Sequence, residues 1–156
     1  MSLRDPAAVR EVLLGLGPDY TVISGLVRMR PDGVDRIDHV VVSRFGLFII
    51  LEVLEAGRII CQMNALDWPI RRLGKSGVLH NPVWRNRKRT NGLEAELPGI
   101  PIHGCVVIVN AKLEGAAGPE VVLIDKLPGW FRRFRNPVLS AEQIRQAVEK
   151  LGVNRN

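Results

Sequence analysis

Aromatic residues make up only 5% of this 156-residue chain, so its core must be built mainly from Val, Ile and Leu. No apolar run approaches the roughly 18 residues that span a bilayer. The best candidate, Leu47 to Leu51, has the length of a strand, so no membrane association is expected. Two cysteines, Cys61 and Cys105, stand far apart, with no CxxC and no histidine at zinc-ligand spacing. That argues against a disulfide framework or a zinc module, and both read as buried thiols. The opening MSLRDPAAVREV lacks an apolar signal core, so a cytoplasmic protein is expected. Repeats and low-complexity segments are also missing. The length suits one compact domain over residues 1–156.

Acidic residues are in short supply in one half of the chain. The net charge is +6 and the isoelectric point about 10.0. Residues 1–78 carry ten Lys/Arg against nine Asp/Glu, whereas residues 79–156 carry twelve against seven. Arg85, Arg87, Lys88 and Arg89 form one cluster. Arg132, Arg133 and Arg135 form a second, interleaved with Trp130, Phe131 and Phe134. Such cations neutralise phosphates, which suggests a polyanionic partner such as nucleic acid. The aromatics read as anchors of a short helix on the core.

Asp5 and Pro6 open a helix whose apolar residues Val9, Val12, Leu13 and Leu16 recur at helical spacing, with Gly17 and Pro18 ending it. Tyr20–Arg30, Arg36–Ser43, Leu47–Leu54 and Arg58–Gln62 read as strands joined by short turns, an antiparallel meander. Its apolar centre requires cover on both faces. Residues 63–80 show no clear pattern. Asn81 caps, and Pro82 starts, a helix reaching about Leu97, although Gly92 weakens it. Ile102–Val109 and Glu120–Ile124 are further strands, and Leu127–Phe134 is a short helix. Ser140 and Gln143 form a capping box for the last helix, whose stripe is Ile144, Val148 and Leu151. This order predicts an α/β fold, a mixed sheet containing the meander and flanked by helices on both faces. Arg58–Gln62 is expected at a sheet edge, where a homo-oligomer could pair.

Residues i and i+2 of a strand face the same way. An Asp at the end of one strand and an acid on its neighbour can therefore share a Mg²⁺ ion, with a Lys two residues past the acid beside the attacking water. The words Ile37-Asp38-His39, Val40-Val41-Val42-Ser43 and Gly46-Leu47-Phe48-Ile49-Ile50 supply such an Asp and two neighbouring strands. With Gly57, Trp68 and Asn81-Pro82-Val83-Trp84-Arg85-Asn86, the chain resembles the nuclease-related domain (NERD) family over roughly residues 6–151. The resemblance implies a restriction-endonuclease-like core and a metal site with a Glu in the first helix, the Asp of the IDH word and a Glu-x-Lys in the next strand. Only Asp38 transfers. The first-helix Glu falls near Asp5 or Pro6, and the Glu and Lys positions are Leu51 and Val53. Arg36 and Arg85 stand where the pattern carries Gln.

Glu52 lies one residue past the expected acid. A bulge would turn it toward the metal face; without one it points away from the side of Leu51 and Val53. Asp38 and Glu52 are thus the candidate catalytic and metal-binding pair, with Mg²⁺ as the cofactor if the site is active and none otherwise. The main expectation is a nuclease-related domain degenerate at its metal site that binds nucleic acid through its basic second half. The alternatives are a Mg²⁺-dependent DNA endonuclease using Asp38 and Glu52, and a non-catalytic protein-interaction module. His39, His80 and His103 are dispersed, and no Ser-His-Asp arrangement follows from spacing.

Overall fold

The computed structural model describes residues 7–152; Asp5 and Pro6 lie outside them. The chain runs α1 (Ala8–Leu14), β1 (Tyr20–Arg30), β2 (Gly33–Ser43), β3 (Gly46–Val53), β4 (Gly57–Gln62), β5 (Asp67–Arg72), β6 (Lys75–His80), α2 (Pro82–Glu96), β7 (Ile102–Ile108), β8 (Ala111–Ala116), β9 (Val121–Leu123), α3 (Leu127–Phe131) and α4 (Ala141–Gly152).

The first three strands pair antiparallel, and β7 then β9 add in parallel, giving a central sheet of order β1-β2-β3-β7-β9. Its interior strands are apolar on both faces because helices cover both. On one side Val9 and Leu13 of α1 and Leu127, Trp130 and Phe131 of α3 pack against Val41, Phe48, Ile50 and Cys105. On the other, Leu93 of α2 with Ala147 and Leu151 of α4 pack against Val40, Val42, Leu47 and Ile49. Successive residues of β3 thus serve alternate cores. The expected mixed sheet flanked by helices is present.

A second sheet, of order β6-β5-β4-β8, was not foreseen. The parallel pair β3/β7 continues into the parallel pair β4/β8. The Val109 N–H donates to the Val53 carbonyl at 3.1 Å, and Asn110 Nδ2 donates to the Leu54 carbonyl at 3.1 Å, so the two crossings are tied together. Hence β4 leaves the meander rather than ending it. Arg58–Gln62 is also not an edge, since β5 and β8 flank it. The patternless stretch 63–80 contains the β5–β6 hairpin. Trp68, fully buried, donates its Nε1–H to the Gln62 carbonyl at 2.8 Å and packs with Ile70 and Leu79 beneath Leu51, Val53, Val106 and Ile108.

Two helix ends depart from expectation and one holds. α1 closes at Leu14 rather than Leu16, and α3 stops at Phe131 rather than Phe134. The capping box at α4 is formed: the Ser140 N–H donates to Gln143 Oε1 at 2.8 Å, and the Gln143 N–H to Ser140 Oγ at 3.1 Å.

Candidate functional site

Asn81 holds the start of α2 on two sides. Its Oδ1 accepts the N–H groups of Val83 and Trp84, while Nδ2 donates to the carbonyls of Met63 and Ala65 at 3.1 and 2.8 Å. One turn on, buried Asn86 donates from Nδ2 to the Ile49 carbonyl at 3.0 Å. The helix can come this close to β7 because Gly104 has no side chain; a Cβ there would lie 3.1 Å from Asn86 Nδ2. The two asparagines of the Asn81-Pro82-x-x-x-Asn86 word are therefore scaffold groups that fix α2 across the sheet.

Asp38 sits where strand alternation fails. Ile23 and Leu26 of β1 face the same core, as do Val40 and Ile37 of β2, although residues three apart should face opposite sides. The slip occurs on both strands at once, at Gly25 (φ +67°) and Asp38, which face each other in the β1–β2 register without forming a pair. Only glycine readily adopts that φ. Freed from the ladder, the Asp38 side chain turns to β3, where Oδ2 accepts the backbone N–H of Glu52 at 2.8 Å. Although Asp38 has an exposed edge, desolvation by the surrounding protein raises its pKa. The Glu52 N–H offsets part of that rise and the Glu52 charge adds to it.

The β3–β7 register is unbroken from Leu47↔Ile102 to Val53↔Ile108, so β3 has no bulge at Glu52. Leu51 and Val53 are almost fully buried in the apolar cluster around Trp68. Glu52 emerges on the other face, where its Oε1 meets His39 Nε2. His39 Nδ1 in turn lies 2.7 Å from Ser24 Oγ. With Nε2–H donating to the carboxylate, Nδ1 is left to accept the serine hydroxyl. This Ser24–His39–Glu52 chain escaped the sequence reading because it depends on the Ser24↔His39 pairing of β1 with β2.

The chain lines a cleft of about 370 Å³ with Asp38, Arg36 and Arg10. Mg²⁺ requires a near-octahedral shell of oxygens. Here one carboxylate is engaged by an imidazole and the other by an amide, and the flanking positions are aliphatic. Among the described residues no three His, Cys, Asp or Glu side chains gather as a metal-ligand set. Among the described residues the donors at this cleft do not make up that shell.

The basic residues of α2 divide between two sides. Arg89, half-buried, donates from Nε to the Arg36 carbonyl at 2.6 Å and from Nη1 to the Arg85 carbonyl at 3.0 Å. Burial first, and the Arg85 charge second, lower its pKa, while Asp38 acts to raise it. Lys88 pairs with Asp32 at 3.2 Å. Arg87 points to the other side, into a groove of about 490 Å³ that it shares with His103, Glu120, Trp130 and Arg133. Glu120 lies 3.9 Å from Arg87. Arg132 and Arg135 are exposed nearby, with Arg135 Nε donating to the Arg132 carbonyl.

As expected, Trp130 and Phe131 are buried, and their rings meet Phe48 at 5.7 and 4.9 Å. Trp84, 39% exposed, is more accessible than the other aromatics among the described residues and lines an adjoining hollow with Arg87. In the sequence Trp84 stands out only as part of the helix-start word Asn81-Pro82-Val83-Trp84-Arg85-Asn86.

An antiparallel meander extended by parallel strands, covered by helices on both faces and carrying an Asp at the break in β2, defines a nuclease-like α/β core. The model of the nuclease-related domain (NERD) family matches residues 7–109, and the chain belongs to that family. That span includes the Asp38 site and α2 but ends before Arg132, Arg133 and Arg135. No curated protein matches the chain, and no solved structure does. Among the described residues no helix is long and apolar enough to cross a membrane.

Proposed function

We propose that this nuclease-related domain binds nucleic acid, DNA in preference to RNA, through its basic second half, and that its metal site no longer supports phosphodiester cleavage. The observation that carries the reading is the shared groove of Arg87 and Arg133, drawn from two separate sequence clusters. Guanidinium groups grip phosphate bidentately. Exposed Trp84, beside Arg87, offers a ring on which an unpaired base can stack. Glu120 is a weak, half-exposed partner for Arg87 that a phosphate can replace. Loss of cleavage is supported by the engagement of Glu52 with His39 and by the burial of Leu51 and Val53.

The test is fluorescence anisotropy with DNA and RNA oligonucleotides across a salt series, beside a plasmid cleavage assay in Mg²⁺. Wild type is expected to bind DNA, with affinity falling steeply with salt, and to leave the plasmid intact. The double variant Arg87→Gln/Arg133→Gln is expected to flatten the log–log salt slope by about 2, near 0.9 per lost phosphate contact. Mg²⁺-dependent cleavage that disappears in Asp38→Ala would instead establish an active endonuclease using Asp38. Absence of binding at about 50 mM salt, where phosphate contacts are strong, would leave a protein-interaction module.

A further inference from the structure

The four-stranded sheet packs one face on Trp68 and its neighbours, while its other face carries a row of cations. In the observed register Arg58 of β4 is paired with Arg71 of β5 on one side and with Lys112 of β8 on the other. Residues paired across adjacent strands project from the same face, and all three side chains are exposed. At the end of the hairpin Arg72 pairs with Lys75, and by strand alternation this pair projects from the opposite face, that of Ile70. Like charges placed directly opposite one another destabilise a sheet. Glu114 reaches Arg58 at 3.1 Å, and Glu55 lines the hollow beside Arg72 and Lys75. Among the described residues, no ion pair reaches Arg71, Arg72, Lys75 or Lys112. Folding alone gives no reason for this arrangement.

The hairpin tip adds an independent observation. Leu73 and Gly74 are the central residues of a two-residue turn, and both have positive φ, +40° and +77°. Such turns favour Asn-Gly or Asp-Gly, yet Leu occupies the strained first position with its side chain wholly in solvent. An apolar side chain held in strained backbone and touching nothing suits a contact made outside the molecule.

We propose that this face is a second nucleic-acid surface, on which the row Arg71–Arg58–Lys112 tracks the phosphates of a duplex while Leu73, between Arg72 and Lys75, enters a groove. The row spans two strand spacings, about 10 Å, which suits a backbone carrying closely spaced phosphates. Apolar wedges of this kind enter minor grooves between base steps. The inference rests on the nucleic-acid reading above but uses different residues, all of which except Lys112 lie in the first half of the chain. The charge count along the sequence hid them because acidic residues elsewhere in that half balance them.

The experiment compares the full chain with three variants on a fluorescent duplex across a salt series: Arg58→Gln/Arg71→Gln/Lys112→Gln, Leu73→Asn, and Arg87→Gln/Arg133→Gln. The row variant is expected to melt no lower than wild type, because it relieves the like-charge row, yet to lose about tenfold or more in affinity and flatten the salt slope by 2 to 3, roughly 0.9 per phosphate contact. Leu73→Asn relieves the turn, so it is expected to melt higher yet bind several-fold more weakly, with an unchanged slope. Wild-type affinity and slope in the row variant overturn the proposal. If the Arg87/Arg133 variant is then the one that binds weakly, the earlier reading stands alone; the reverse pattern overturns that reading and keeps this one. Absence of duplex binding in wild type overturns both. Wild-type binding to phosphatidylserine vesicles in place of duplex, lost in the row variant, also overturns this proposal, because the occupant is then a membrane.

Discussion

The carboxylate of Asp38 accepts the main-chain N–H of Glu52 at 2.8 Å, while the carboxylate of Glu52 is held by His39 on the same side of the sheet. Two acids that a metal ion would bring together are thus engaged separately. Desolvation raises the Asp38 pKa, so the folded state binds that proton more tightly than the unfolded chain. Its contribution to stability is therefore fullest at low pH and is lost as pH rises through the unfolded value, near 3.9, to the higher folded one. Asp38→Asn keeps an acceptor for the Glu52 N–H without the charge. Its melting temperature is expected to exceed wild type slightly at pH 7, with the gain vanishing below about pH 4. Asp38→Ala lacks the acceptor and is expected to lose about 1 kcal/mol. Thermal melts of both variants across pH check the pair; a deficit in Asp38→Asn at pH 7 would refute the account.

Leu51→Glu returns an acid to the position where the family pattern carries one. In this chain that side chain enters an apolar cluster with Ile59, Trp68 and Val106. An unpaired buried charge is strongly unfavourable. A loss of about 3 kcal/mol or more is expected, some 6–12 °C in melting temperature for a chain of this size. Leu51→Met keeps the volume and is expected to lose under about 1.5 kcal/mol. A Leu51→Glu protein that melts like wild type and gains stability from Mg²⁺ would show that the site can still be rebuilt.

Gly92 lies inside α2 because the Arg30 guanidinium covers it. A Cβ at that position would stand 2.7 Å from Arg30 Nη2. Arg30 is held there by Asp35 and Glu96, at 3.1 Å from each. In an uncrowded helix Gly→Ala gains about 1 kcal/mol. Gly92→Ala is expected to destabilise the native protein, and to stabilise it in an Arg30→Ala background. Denaturant melts of the four proteins in the double-mutant cycle measure that change of sign; equal effects in the two backgrounds would contradict it.

Asn81 acts through two groups that substitution can separate. Asn81→Asp keeps an acceptor for the N–H groups of Val83 and Trp84 but cannot donate to Met63 and Ala65. Asn81→Ala loses both roles. The alanine variant is expected to lose about 2 kcal/mol or more, a cap of about 1 kcal/mol plus two unsatisfied carbonyls. The aspartate variant should fall between it and wild type. Equal losses in the two variants would assign all of the stabilisation to the donor side. Chemical denaturation monitored by far-ultraviolet circular dichroism resolves the order.

Elements with local signals were legible. Asn81-Pro82, the Ser140–Gln143 capping box and the continuous apolar run of β3 each act within a few residues, and all three appear in the structure. The second sheet was not legible. β5 and β6 carry charge and few β-branched residues, and β8 reads as a small-residue loop. Their alternation becomes visible only when Trp68 and Leu79 have Leu51 and Val106 to pack against. At the candidate site, the change of register that turns Glu52 from the side of Leu51 and Val53 followed from counting along β3. The capture of Glu52 by His39, the Ser24 contact and the amide bond to Asp38 did not.

By itself the sequence determined the family, the meander and its Asp, and the position of α2, because periodicity, turn residues and caps act over short separations along the chain. The tertiary structure decided what those residues face. The paired slip at Gly25 and Asp38 sends the Asp to a main-chain amide. Cross-strand register puts Arg58 between Arg71 and Lys112, and α2 and the turn after α3 bring Arg87 and Arg133 into one groove. Each of these depends on contacts between residues distant in sequence, which exist only once the cores on the two sides of the sheet have closed.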